Sequence, residues 1–208
     1  MIDSKLSLSA HVAALCRCRS GFYHLHQLRP VLRSPTHEAA RTPVQAFISC
    51  CLDYCNSLFY GVSHGNIWKV QSVQNANARL LTGTRRRDHI SPVLRQLHWL
   101  PVQRWVDFKL ACFVFSSLSG QAPSYLADGI HLFSEGPRRR LHSSTDRSCA
   151  VPRTHNTFDD RSFAVARPRV WNSLPANLCN EDITYTSFRC ELKTFWFSCG
   201  LGAMWHSA

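Results

Sequence analysis

Arginine is the residue type in this chain with the clearest chemistry. Arg85-Arg86-Arg87 and Arg138-Arg139-Arg140 form two runs, and Arg95 and Arg104 follow the first run in a stretch with few acids. Residues 138–169 hold eight Arg against three Asp. A guanidinium is a planar fork of donors that fits phosphate oxygens. Such contacts are independent of base sequence and weaken with salt. Arg85, Arg86, Arg87, Arg95, Arg138, Arg139 and Arg140 are therefore the candidate contacts to an RNA or DNA backbone. The competing reading is a solvated loop with some arginines paired inside the fold. Arg161, which follows Asp160, and Arg169, which lies near Trp171 and can stack on an aromatic ring, suit that reading.

Other chemistries fit the residues poorly. A zinc knuckle needs short, regular Cys and His spacings so that one turn wraps a tetrahedral ion. Cys16-x-Cys18, Cys50-Cys51-x3-Cys55 and Cys190-x8-Cys199-x6-His206 do not supply them, and buried or incidental thiols are expected. Phe158-Asp159-Asp160 carries paired carboxylates, but a loop or helix-cap role is expected for them. His89 and His98 flank Arg95, with Asp88 beside His89. Catalysis there needs a nucleophile or a partner in reach. A capping Asp88 with packing histidines is the simpler reading. Cys55 has no evident base and reads as a core thiol. No catalytic residue, metal site or cofactor is expected.

Hydrophobic residues make up 45% of the 208 and charged residues 18%, a globular rather than disordered balance. The 24 Lys and Arg outweigh 13 Asp and Glu, giving +11. Only Lys5, Lys69, Lys109 and Lys193 are lysines. Such a basic chain points to nucleic acid, and equally to a soluble basic protein or to a fragment that lacks its acidic partner surface. The start at Met1-Ile2-Asp3-Ser4-Lys5 lacks the charged and apolar regions of a signal peptide. No stretch approaches the roughly 18 apolar residues of a membrane helix. The expectation is an intracellular, unsecreted chain whose ten Cys are reduced.

Apolar spacing then predicts the elements that must position the arginines. Ser7 or Ser9 caps a helix to about Leu28, with Val12, Leu15, Phe22 and Leu25 along it, and Pro30 ends it. Thr36 begins a second helix, in which Pro43 predicts a kink or a late start. Cys51–Tyr60 is a short apolar piece closed by Gly61. Ile67, Val70, Val73, Asn77 and Leu80 share one helix face, and Gly83 sits where a C-terminal cap belongs. Positive charge at Arg85–Arg87 suits that helix end. Ser91-Pro92 opens a helix through about Trp99, because Pro is tolerated in a first turn. Val102–Leu118 is apolar around much of its circumference and predicts a central buried helix ended by Gly120. A short helix is expected over Pro123–Ile130, loop over 131–160, and short strands at Ser148–Val151 and Ser162–Val165. Tyr185–Phe197 predicts a last amphipathic helix, with Phe188, Leu192 and Phe195 in register.

Four stretches carry a resemblance. They are Leu52-Asp53-Tyr54-Cys55-Asn56-Ser57-Leu58; Gln71-Ser72-Val73-Gln74-Asn75-Ala76 with Ala78-Arg79-Leu80; Asp88-His89-Ile90-Ser91-Pro92-Val93-Leu94 with Leu97-His98-Trp99-Leu100-Pro101-Val102; and Asp160-Arg161-Ser162-Phe163-Ala164-Val165-Ala166 with Pro168-Arg169-Val170-Trp171-Asn172-Ser173-Leu174-Pro175. In order and spacing they resemble the segment after the polymerase core in non-LTR, LINE-type retrotransposon reverse transcriptases of the Jockey and chicken-repeat kind, over roughly residues 2–197. Ile2–Ser7 is similar to the stretch just after the primer-grip turn of those proteins, which implies that Met1 is an internal or replaced residue used as a start. The resemblance implies thumb-like helices to about residue 60 and a C-terminal extension beyond. It also marks departures: Asp159 stands where a Gly is expected, Arg167 where Gly or Ala is, and Trp68 and Trp105 where aliphatics are.

The polymerase of that family holds two Mg²⁺ on a Tyr/Phe-x-Asp-Asp turn. This sequence has no such turn, and the endonuclease carboxylate and His set is absent too. The expected fold is mainly α, a multi-helix bundle with a small β element in the C-terminal third. The expected segments are a thumb-like helical part over 1–62, a helical extension over 63–132, and a basic loop, short strands and terminal helix over 133–208. The expected function is a non-catalytic remnant of a retrotransposon reverse transcriptase that contacts template or primer through its Arg clusters. The alternative is an inert packing module whose partner was the missing polymerase core. No membrane partner is expected.

Overall fold

The computed structural model describes residues 8–19, 50, 53, 56–133 and 147–198. The chain is mainly helical and forms two compact units, Met1–Gln103 and Arg104–Ala208. The expected helix from Thr36 and the triplet Arg138–Arg140 lie outside the described residues.

In the first unit, α1 spans Ser9–Arg19 and α2 spans His64–Thr82. They pack together: Val12 is buried, and Asn66 Nδ2 donates to Ser9 Oγ at 3.1 Å. A 3-10 turn over Asn56–Phe59 buries Phe59, 5.7 Å from the His11 ring. Gly83 ends α2 at φ 70, a left-handed conformation that costs glycine least. The expected stripe is present but incomplete. Ile67, Val70 and Asn77 are buried, whereas Val73 and Leu80 are only half-buried. Gln71, Gln74 and Asn75 take interior places instead.

Those amides are satisfied. Gln71 Nε2 donates to Gln74 Oε1 at 2.8 Å and to Asn75 Oδ1 at 2.9 Å. Gln74 Nε2 donates to the Leu100 carbonyl at 2.9 Å, and Val102 N–H donates to Gln71 Oε1 at 2.8 Å. Val102 is the first residue of α4 (Val102–Leu118), so Gln71 accepts from a donor that has no partner within that helix. Between them, α3 spans Ile90–Gln96 and packs on α2. It closes with His98 N–H to the Arg95 carbonyl at 3.0 Å and Trp99 N–H to the Leu94 carbonyl at 2.8 Å. This is the Schellman pattern, with His98 at φ 55 where glycine is usual.

In the second unit, α4 supplies Val106, Leu110, Ala111, Val114 and Phe115 to the interior. The last helix, α8 (Tyr185–Ser198), buries Phe188, Leu192 and Trp196 at i, i+4 and i+8. Phe188 stacks on Phe115 at 4.3 Å between centroids, and Trp171 lies 6.0 Å from Phe188. Each such side chain is worth about 1.5–3 kcal/mol when buried. Gly120 follows α4 at φ 68, and α5 is a single turn over Ser124–Ala127. A turn α6 (Thr157–Asp160) and the helix α7 (Phe163–Asn172) complete the unit with a 3-10 turn over Ala176–Cys179.

The β element is corrected. Among the described residues there is no strand, only an isolated antiparallel bridge between Leu132 and Cys149. The Asn172 side chain occupies both main-chain groups of Cys149, accepting from its N–H and donating to its carbonyl at 2.8 Å each. A third segment therefore has no groups to pair with there. Phe163–Val165 is helical rather than extended, and Ser162 is the cap before it. The Ser162 carbonyl accepts from Val165 and Ala166 N–H, which starts α7 and buries Val165 and Ala166. No helix among the described residues is long and apolar enough to cross a membrane.

Candidate nucleic-acid interface

The left-handed Gly83 turns the chain out of α2 and into the arginine run. Thr82 Oγ1 donates back to the Ala78 carbonyl at 2.9 Å and meets Thr84 Oγ1 at 2.6 Å. Asp88 then pins the turn. Its carboxylate accepts from Arg85 N–H at 3.0 Å, and its own N–H donates to the Arg85 carbonyl at 3.1 Å. The one acid adjacent in sequence is thus spent on the backbone. Arg85, Arg86 and Arg87 are exposed, and none has an ion-pair partner among the described residues. The negative end of the α2 dipole favours positive charge at this place. Arg95 is exposed in the last turn of α3, in the same unit. The expected roles of Asp88, His89 and His98 are corrected in part. His89, not Asp88, holds the position before α3, and both histidines are exposed rather than packed.

Arginines of the second unit are used differently. Arg104 pairs with Asp107 at 3.5 Å and lies over the Trp196 ring at 4.6 Å. Arg147 meets Glu181 at 3.2 Å. Arg169 pairs with Asp160 at 2.6 Å, and the same oxygen accepts from Thr154 at 2.8 Å. These two hydrogen bonds, first Thr154 and then Arg169, hold the Asp160 carboxyl below its usual range. Arg167 is buried, and burial lowers its pKa. It donates to the Leu126 carbonyl at 2.6 Å and the Phe163 carbonyl at 3.2 Å, and lies over the Phe163 ring at 4.3 Å. Between these two neighbours on α7 it is therefore Arg167 that stacks on a ring, while Arg169 makes the ion pair. Arg167 also reaches 2.8 Å from where a Cβ on Gly129 would stand, so a side chain at 129 displaces the guanidinium. Asn156, rather than Asp159, accepts from the first free N–H groups of α6, at 3.0 and 2.8 Å.

Protein-family models, curated proteins and solved structures all gave no match to this chain. What the site can do rests on its own geometry. Among the described residues, no group of three or more His, Cys, Asp or Glu is arranged to hold a metal ion. Burial pushes the thiols of Cys112 and Cys179 up to about 11, which makes them poor nucleophiles.

One set of cations escaped the sequence reading. Arg189 and Lys193 stand one turn apart on α8, and Lys109 lies on α4, far away in sequence. No run marks them; the only signal is the i, i+4 spacing of like charges. Such a pair destabilises a helix by about 0.2–0.5 kcal/mol unless something neutralises it.

Proposed function

We propose that this chain is a non-catalytic remnant of the C-terminal region of a LINE-type retrotransposon reverse transcriptase, acting inside the cell. Its molecular role is to grip the phosphate backbone of RNA or DNA. The observation that carries the binding role is the turn at Arg85–Arg87: three exposed guanidiniums at a helix end, with the neighbouring Asp88 carboxylate bound to main chain. A turn of this kind offers donors to phosphate at little cost, since no internal pair has to break. The family assignment rests on the four ordered sequence stretches, and the lack of catalysis on the missing Asp-Asp turn.

RNA binding measured across a salt series tests this reading. Affinity should fall with salt at a slope of about 0.7 per phosphate contact on a single strand. Replacing Arg85, Arg86 and Arg87 together by Ala should flatten the slope by roughly two to three contacts' worth. Unchanged slopes in a folded variant, or no binding at low salt, would remove the binding role. The second reading, a packing module that supported a polymerase core, is favoured by the C-terminal landmark. There Arg167 and Trp171 are buried on partners within the chain, and the exposed Arg169 and Asn172 also bond within it.

A further inference from the structure

In the second unit, α4 and α8 run antiparallel. Arg104 meets Trp196 at one end, and Phe115 meets Tyr185 at 5.9 Å and Phe188 at 4.3 Å at the other. In that register Lys109 falls level with Lys193, and Cys112 with Arg189. The electrostatics agree. Arg189 and Lys109 both act on the Cys112 thiol, and Lys193 is pushed down by burial and then by Arg189. Arg189 lies over the Tyr185 ring at 5.6 Å. Glu191 is two residues from Arg189 and from Lys193, and a rotation of about 200° puts it on the other side of the helix from both. Neither Arg189 nor Lys193 has an ion-pair partner among the described residues.

We propose that Arg189 and Lys193 form a second contact to the phosphate backbone of single-stranded nucleic acid, carried by the second unit. A half-buried ammonium beside a like charge is the arrangement that a bound anion relieves. The four-residue step from Arg189 to Lys193 rises about 6 Å, which suits neighbouring phosphates along one strand. The Arg189 guanidinium beside Tyr185 adds a planar surface on which a base can stack. A lipid surface fits less well, because membrane-binding helices expose an apolar face. The exposed large apolar side chains among the described residues are Leu58, Trp68, Tyr125, Phe133 and Phe158, none of them on α4 or α8.

The site extends the proposed function without depending on the arginine triplet, and the test separates the two. The full chain is titrated into a labelled oligouridine strand at rising salt, as wild type and as R189Q/K193Q. Gln retains most of each stem and removes only charge; the single R189Q guards against misfolding, and circular dichroism checks each variant. Wild type loses affinity as salt rises from about 50 to 200 mM, and in R189Q/K193Q that loss should shrink by about sevenfold, or about 2.6-fold in R189Q. If the triple-Ala variant of Arg85–Arg87 binds like wild type while R189Q/K193Q loses slope, the triplet reading fails and this one stands. The reverse outcome overturns this proposal and leaves the triplet. Binding to phosphatidylserine vesicles that needs Arg189 and Lys193, with none to the strand, also overturns it.

Discussion

The inner faces of α2 and α8 solve the same problem with opposite chemistry. Within its own unit, α2 turns Gln71, Gln74 and Asn75 inward and ties them to each other and to the main chain at Leu100 and Val102. Within the other unit, α8 turns Phe188, Leu192 and Trp196 inward, with Phe188 stacked on Phe115. The aromatic face is held by buried area and shape, so related apolar residues can fill it. The amide face is held by matched donors and acceptors, and a buried amide without its partner costs more than the bond contributes. One face tolerates substitution by size; the other demands a particular atom in a particular place.

The largest expected effect lies on the aromatic face. Phe188→Ala should cost about 3–5 kcal/mol in denaturant unfolding, while Phe188→Leu, which keeps most of the volume, should cost clearly less. If the two variants cost the same, the stack is not held by volume and the contrast with α2 dissolves. Alkaline unfolding comes next. Burial raises the Cys112 thiol from 9.0 to about 11, so on raising the pH the unfolded chain gives up this proton before the folded one does. The stability from this thiol is intact below about pH 9 and lost as pH climbs to about 11, worth about 2–3 kcal/mol at 1.36 kcal/mol per pH unit. Cys112→Ala should flatten that alkaline limb; a limb of unchanged depth would count against a buried neutral thiol.

The amide face should respond less, but with a different signature. Gln71→Ala removes the acceptor for Val102 N–H and the donor to Gln74 and Asn75, a cost of about 1–3 kcal/mol. Gln71→Met restores the volume but not the atoms, so it should recover little of that loss. Recovery close to wild type in Gln71→Met, read from urea midpoints, would make the α2 face an ordinary packing surface.

Much of the fold was legible in the residues. Apolar spacing and the glycines at 83 and 120 marked where α2 and α4 run and stop, since a helix stripe and a left-handed end are local properties. Phe188 and Leu192 were placed correctly inside α8, though Trp196 rather than Phe195 completes the buried row. The exposed triplet at Arg85–Arg87 was also visible, because three adjacent guanidiniums with one acid nearby leave few internal partners. Tertiary structure decided the rest. The sequence reading of strand at Ser162–Val165 failed because a stretch that short carries no decisive period, and the Ser162 carbonyl instead starts α7. An amide side chain suits water or a buried partner equally, so only the turn at Leu100–Val102 drew Gln71 and Gln74 inward. Arginine has the same ambiguity. Arg167 is buried because the Leu126 and Phe163 carbonyls meet it, Arg169 is paired because Asp160 stands opposite, and Arg85–Arg87 are exposed, with the carboxylate next to them in sequence bound to the backbone. Lys109 comes level with Lys193 only through the antiparallel packing of α4 and α8, a long-range relation that local spacing does not encode.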